Sequence, residues 1–113
     1  MKTFAAVALA ALIGLCWNAG AGADAASNGE RLFIQKGCIG CHGTSGRGGA
    51  GPDLAGTALG VEDFLKQLRA PRGQMPPFPA SAVSESEARE IHTFLKTIPA
   101  PKGSDDHDLP GNP

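Results

Sequence analysis

Lys36-Gly37-Cys38-Ile39-Gly40-Cys41-His42 is the stretch from which the rest of the chain is read. It puts two thiols three residues apart and an imidazole directly after the second. C-x-x-C-H is the attachment signature of c-type haem. The reason is reach. Two thiols so spaced near the end of a helix can add to the two vinyl groups on one edge of a porphyrin. The histidine that follows lies under the iron and ligates it. Covalent tethering then holds the group where it could otherwise be lost.

Other chemistries for the two cysteines fit less well. A redox-active C-x-x-C belongs in a thioredoxin-like βαβ context, and the chain has no strand-like alternation. A zinc site takes four ligands, usually from a second cysteine or histidine pair; only His92 and His107 remain. A disulfide across two intervening residues closes too small a loop to stabilise much.

The 113 residues allow one domain. Ten basic against eleven acidic side chains leave no polycation for a phosphate backbone, which excludes nucleic acid as a partner. The first 23 residues, MKTFAAVALAALIGLCWNAGAGA, begin with Lys2 and continue with an uncharged run from Phe4 to Trp17. Small residues follow. This is the pattern of a secretory signal peptide, cleaved before Asp24 or as late as residues 25–26. The run is shorter than the roughly 20 residues of a membrane span, so no span is expected in the mature protein. Cys16 leaves with the leader on this reading. Export and the haem motif together place the protein in the periplasm. The mature chain keeps two cysteines, four phenylalanines and one methionine. A chain of this size buries only about 60–65% of its unfolded surface, and small scaffolds usually need a staple or a cofactor.

Haem iron needs a ligand opposite His42. A thioether in that position raises the reduction potential and suits an electron carrier. Met75 is the one methionine of the mature chain, in Gly73-Gln74-Met75-Pro76-Pro77-Phe78-Pro79. The prolines restrict the backbone there, and a polar, proline-rich loop is a poor place for a core filler. His92 is the rival. It falls beside Ile91, at the edge of its helix's apolar stripe or outside it, and reads as a surface histidine. His107 lies among aspartates near the terminus and reads as a solvated residue.

Asn28 to Lys36 reads as a first helix, with Asn28 as N-cap, Leu32, Phe33 and Ile34 on its apolar side, and Gly37 as the stop. Residues 43–74 hold eight glycines and form loops that can approach a flat ring closely. A ligating histidine needs its second ring nitrogen held; a backbone carbonyl within Gly51-Pro52-Asp53-Leu54, Pro52 first, is the candidate. Val61 to Ala70 reads as a helix with Val61, Phe64, Leu65 and Leu68 on one face, which serves as core and haem wall together. Leu54 and Leu68 are the candidate haem contacts. Ser84-Glu85-Ser86-Glu87 is a capping box opening a last helix that runs to Thr97, with Ala88, Ile91, Phe94, Leu95 and Ile98 buried. Residues 99–113, rich in proline and aspartate, read as a disordered tail.

As a set, Gly29, Phe33, Cys38-x-x-Cys41-His42, Gly51-Pro52-Asp53-Leu54, Met75-Pro76, Ile91 and Phe94 resemble class I cytochrome c, the small monohaem carriers of bacterial periplasmic type. The resemblance covers residues 27–98. It implies an all-α fold of three to four short helices and Gly/Pro-rich loops wrapped around one covalently attached haem. It implies Cys38 and Cys41 as attachment points, His42 and Met75 as axial ligands of the iron, and Pro52 as the carbonyl that receives the imidazole. It also implies that the first and last helices cross near Gly29, against Phe94. The tyrosine or tryptophan that often holds the haem propionates in the family is missing; Arg47, Arg69, Arg72 or Gln74 could substitute. The Arg69–Phe78 segment looks like cytochromes that serve periplasmic dehydrogenases.

The expected function is single-electron transfer by one haem c, as a free carrier or a cytochrome subunit, with no substrate transformed and so no enzyme activity. The expected partners are a dehydrogenase, a cytochrome bc-type complex or a terminal oxidase, with the protein a monomer or a subunit of a larger complex. Residues 27–98 carry eight basic and seven acidic side chains, too even a balance for strong steering. The alternatives are a haem sensor or ligand-binding cytochrome with an open sixth site, and an exported dithiol module without haem.

Overall fold

The computed structural model describes residues 20–101. Residues 1–19, which hold most of the expected leader and Cys16, and residues 102–113, which hold most of the expected tail and His107, lie outside the described residues. Four helices occur among those described, and no strand: α1 (Gly20–Gln35), α2 (Ile39–His42), α3 (Val61–Arg69) and α4 (Glu85–Thr97). This is the all-α arrangement of short helices and Gly/Pro-rich loops that the resemblance implies.

Helix α1 corrects one expectation. It does not start at Asn28 but continues back to Gly20. Ala21, Ala23, Ala25 and Ala26 are strong helix formers, so the small-residue stretch extends the helix and needs no cap at Asn28. The Asn28 side chain instead bridges between helices: its amide nitrogen donates to the Glu90 carboxylate of α4, and its oxygen accepts from Arg31.

The core lies between α1 and α4, with α3 packed on α4. Leu32, Phe33, Phe64, Leu68, Val83, Ala88, Ile91, Phe94 and Leu95 are its buried members. The Phe33 and Phe94 rings sit 5.7 Å apart at 54°, a tilted arrangement aromatic pairs favour. Gly29 makes this approach possible. A Cβ there would lie 2.0 Å from the Glu90 carbonyl oxygen and 2.8 Å from Phe94 Cβ. Ile34 does not join the core; it is 48% exposed, because α4 covers only the Leu32–Phe33 side of α1.

Helix α4 opens with the predicted capping box. The Glu87 amide donates to Ser84 Oγ at 3.1 Å, and the Ser84 amide donates to Glu87 Oε2 at 2.9 Å. Lys36, just past α1, reaches the same place: Nζ is 3.1 Å from Glu87 Oε2 and donates to the Ala82 carbonyl at 2.8 Å. The Ser84 amide first, and Lys36 second, hold the Glu87 carboxyl below its ordinary range. Arg89 pairs with both Glu85 of its own helix and Glu62 of α3, at 2.7 and 2.8 Å.

His92 is a second correction. It is buried, its Nε2 lies 2.8 Å from the Leu59 carbonyl, and its ring stands 5.3 Å from that of Phe64. The loop entering α3 folds over this side of α4 and turns an apparent surface position into a satisfied core histidine. No helix among the described residues is long and apolar enough to cross a membrane.

Candidate haem site

Gly37, at φ +81°, ends the turn after α1 and starts the short helical turn that holds the motif. The His42 amide donates to the Cys38 carbonyl at 3.0 Å, and the Cys41 amide to the same oxygen at 3.3 Å. Cys38 and Cys41 are therefore one helical turn apart, on neighbouring positions of one face. Both are free thiols. Cys38 is half-buried against the apolar core, while Cys41 is exposed. Burial pushes the Cys38 thiol up from its ordinary value. A nucleophilic dithiol needs the opposite shift, and among the described residues no strand supplies the βαβ setting of a thioredoxin-like site.

The glycine-rich loop closes over the end of α2. Gly48 donates to the His42 carbonyl and Gly51 to the Cys41 carbonyl, each at 2.8 Å. This brings Pro52 beside the imidazole, with His42 Nδ1 2.8 Å from the Pro52 carbonyl oxygen. A carbonyl only accepts, so Nδ1 carries a proton, and in the neutral ring the lone pair is then on Nε2. The Gly51 backbone lies against the same Nδ1–Cε1 edge of the ring. A Cβ at Gly51 would stand 3.0 Å from His42 Cε1 and 3.2 Å from Nδ1. The imidazole, itself buried, is thus fixed in tautomer by Pro52 and in position by the Gly51 backbone.

The remaining predicted site residues gather on the apolar side. Leu68 belongs to the core, and Cys38, Leu54 and Met75 pack against that same core. Leu54 is set by its amide bond to the Gly46 carbonyl at 2.6 Å. Met75 is partly buried in its proline-rich loop, and its Sδ is 3.9 Å from Gln67 Nε2. Of the four polar side chains considered for the propionates, Arg69 is committed to the Phe78 carbonyl at 2.8 Å. Arg72 is engaged with Gln67, and Arg47 and Gln74 are exposed.

This donor set fits a covalently attached haem. It offers adjacent thiols, an imidazole whose Nε2 has no hydrogen-bond partner among the described residues, and a thioether against apolar side chains. Among the described residues no cluster of three or more His, Cys, Asp or Glu could hold a bare metal ion. Sequence reasoning missed Gln67, which lies among the charged residues of α3's polar side with nothing local to mark it. It also missed the specific role of Gly51, although the glycine density signalled close approach.

Comparisons with known proteins agree with this geometry. The family model described as cytochrome c oxidase, cbb3-type, subunit III matches residues 24–95. The chain is 38% identical over 77 residues to the menaquinol:cytochrome c reductase cytochrome c subunit of Geobacillus thermodenitrificans, covering 68% of this chain and 29% of that protein. It is 31% identical over 85 residues to cytochrome c-555 of Methylococcus capsulatus, covering 68% and 69% respectively. It is 31% identical over 80 residues to the cbb3-type oxidase subunit CcoP of Helicobacter pylori, covering 62% and 27%. The chain thus spans under a third of the reductase and oxidase subunits it matches. No solved structure matches it significantly.

Proposed function

Because the chain belongs to the cytochrome c family that includes subunit III of the cbb3-type oxidase, we propose that it is an exported one-electron carrier with a single haem c. Cys38 and Cys41 would hold the group as thioethers, and His42 and Met75 would be its axial ligands. When bound, the group supplies a ferrous/ferric couple whose potential its ligands and surroundings tune. The observation that carries the reading is the His42–Pro52 contact at 2.8 Å. It fixes the tautomer that presents Nε2 for ligation, right beside two unpaired thiols.

Each residue then has a task. The Pro52 carbonyl holds the Nδ1 proton and makes the imidazole a better donor. Gly51 lets the loop close on the ring. Leu54 and Leu68 keep water from the apolar side. Met75 would supply the second protein ligand to the iron, leaving the group to exchange electrons without binding a substrate. No catalytic side chain is required, and the protein is read as a carrier or a subunit rather than an enzyme by itself. Its relatives' names point to partners of the quinol:cytochrome c reductase or terminal oxidase kind. The near-even charge of residues 27–98 makes docking weakly salt-dependent. Export places it in the periplasm, and cleavage before Asp24 would trim the first turn of α1.

Met75→Ala tests the axial assignment. Haem stays attached, the reduction potential falls, and carbon monoxide or cyanide binds quickly. An unchanged potential with slow ligand binding removes Met75 from the iron. Rapid ligand binding to the unmodified protein favours the sensor reading instead.

A further inference from the structure

Residues 70–77, which carry Met75, form a loop closed at its base by two bonds. The Phe78 amide donates to the Leu68 carbonyl at 2.7 Å, and Arg69 Nη1 donates to the Phe78 carbonyl at 2.8 Å. Inside the loop a single side chain from α3 serves as a strut. Gln67 Oε1 accepts from the Arg72 amide at 3.3 Å and from its guanidinium Nε at 3.5 Å. Gln67 Nε2 donates to the Arg72 carbonyl at 3.4 Å and faces Met75 Sδ at 3.9 Å. One carboxamide therefore binds both backbone groups of Arg72 and the thioether three residues later.

We propose that Gln67 is the positioning residue of Met75: it orients the thioether and lowers its electron donation. The proposal rests on Met75 being the iron ligand. A thioether sulfur has two lone pairs and is a weak acceptor. An N–H held on one of them leaves the other to face a metal, which selects a single arrangement at sulfur. The same N–H draws density from the sulfur, so the ligand stabilises ferric iron less and the reduction potential rises. The bonds to Arg72 meanwhile hold the loop to α3, which slows departure of the thioether from the iron. Gln67 is otherwise only one polar residue on the α3 surface. Its contacts with Arg72 use both ends of the same amide and its contact with Met75 uses the donor end, so shape and donor property act together.

The test uses the holoprotein and two uncharged variants, Gln67→Leu, which keeps the bulk, and Gln67→Asn, whose shorter amide cannot reach the sulfur. Three quantities are read: the iron–thioether charge-transfer band, the reduction potential, and the rate at which imidazole displaces the ligand from the ferric protein. The expected result is a retained band, a lower potential in both variants, and imidazole exchange about fivefold faster or more, the lower limit being loss of one ordinary hydrogen bond. A wild-type potential and exchange rate in both variants, with the band intact, overturns the role of Gln67 and leaves Met75 as ligand. Absence of the band from the unmodified protein overturns the proposal at its premise, because Met75 is then off the iron.

Discussion

Replacing Gly29 by alanine sets two opposing effects against each other. At an exposed position inside a helix the exchange stabilises by about 1 kcal/mol, since glycine loses more backbone entropy on folding. Gly29 sits instead at the crossing of α1 and α4. A Cβ there would stand 2.0 Å from the Glu90 carbonyl oxygen, whereas ordinary contact begins near 3.4 Å. The obstacle is backbone, so no rotamer change relieves it, and the helices must move apart. That motion separates Phe33 from Phe94, now 5.7 Å apart, and loosens the packing that backs the site. Overpacking costs about 1–3 kcal/mol, and a backbone obstacle takes the upper end. Subtracting about 1 kcal/mol for helix preference leaves a net loss of about 2 kcal/mol. A domain of about 80 residues has only about 4–12 kcal/mol in all. The loss lowers Tm by about 8–16 °C. Guanidinium titration of the holoprotein, followed by far-UV circular dichroism, reads it as a lower midpoint at unchanged slope. A Gly29→Ala protein as stable as its parent, or more stable, would refute the close crossing.

Two further outcomes follow from the same contacts. Glu87 is held below its ordinary value, chiefly by the Ser84 amide and then by Lys36; a depressed carboxyl stabilises the fold at neutral pH, and that contribution disappears as pH falls below about 4.5 through the folded-state value. Glu87→Gln therefore flattens the acid limb of a stability-versus-pH profile; an unchanged limb contradicts the assignment. His92→Leu leaves the Leu59 carbonyl without its donor and costs about 1–3 kcal/mol in chemical denaturation, whereas a surface histidine would cost nothing measurable.

What could be read from the sequence was local or chemically specific. The Ser84–Glu87 capping box joins residues three apart, and the structure shows both of its bonds. Phe64, Leu68, Ile91, Phe94 and Leu95 follow helical spacing and are buried. Cys38-x-x-Cys41-His42 carries its chemistry in five positions, whatever lies around them. Contacts across the chain were less legible. The stripe containing Ile91 leaves His92 at its edge, and only the arrival of Leu59 from the preceding loop buries it. Val83 and Ala55 lie in loops, where no periodicity marks burial. The alanines before Asn28 resemble a processing site and a helix equally well, so spacing alone does not fix the start of α1. Gln67 gains meaning only when the 70–77 loop folds back onto α3.

Intact mass and visible absorption of the denatured protein, recovered from cells that mature c-type cytochromes, together test whether a haem is bonded to Cys38 and Cys41. The account predicts one haem that stays with the polypeptide through acid and organic extraction, and that is extracted from a Cys38→Ala/Cys41→Ala variant. A folded, colourless parent protein that still titrates as two free thiols, Cys38 and Cys41, would contradict it.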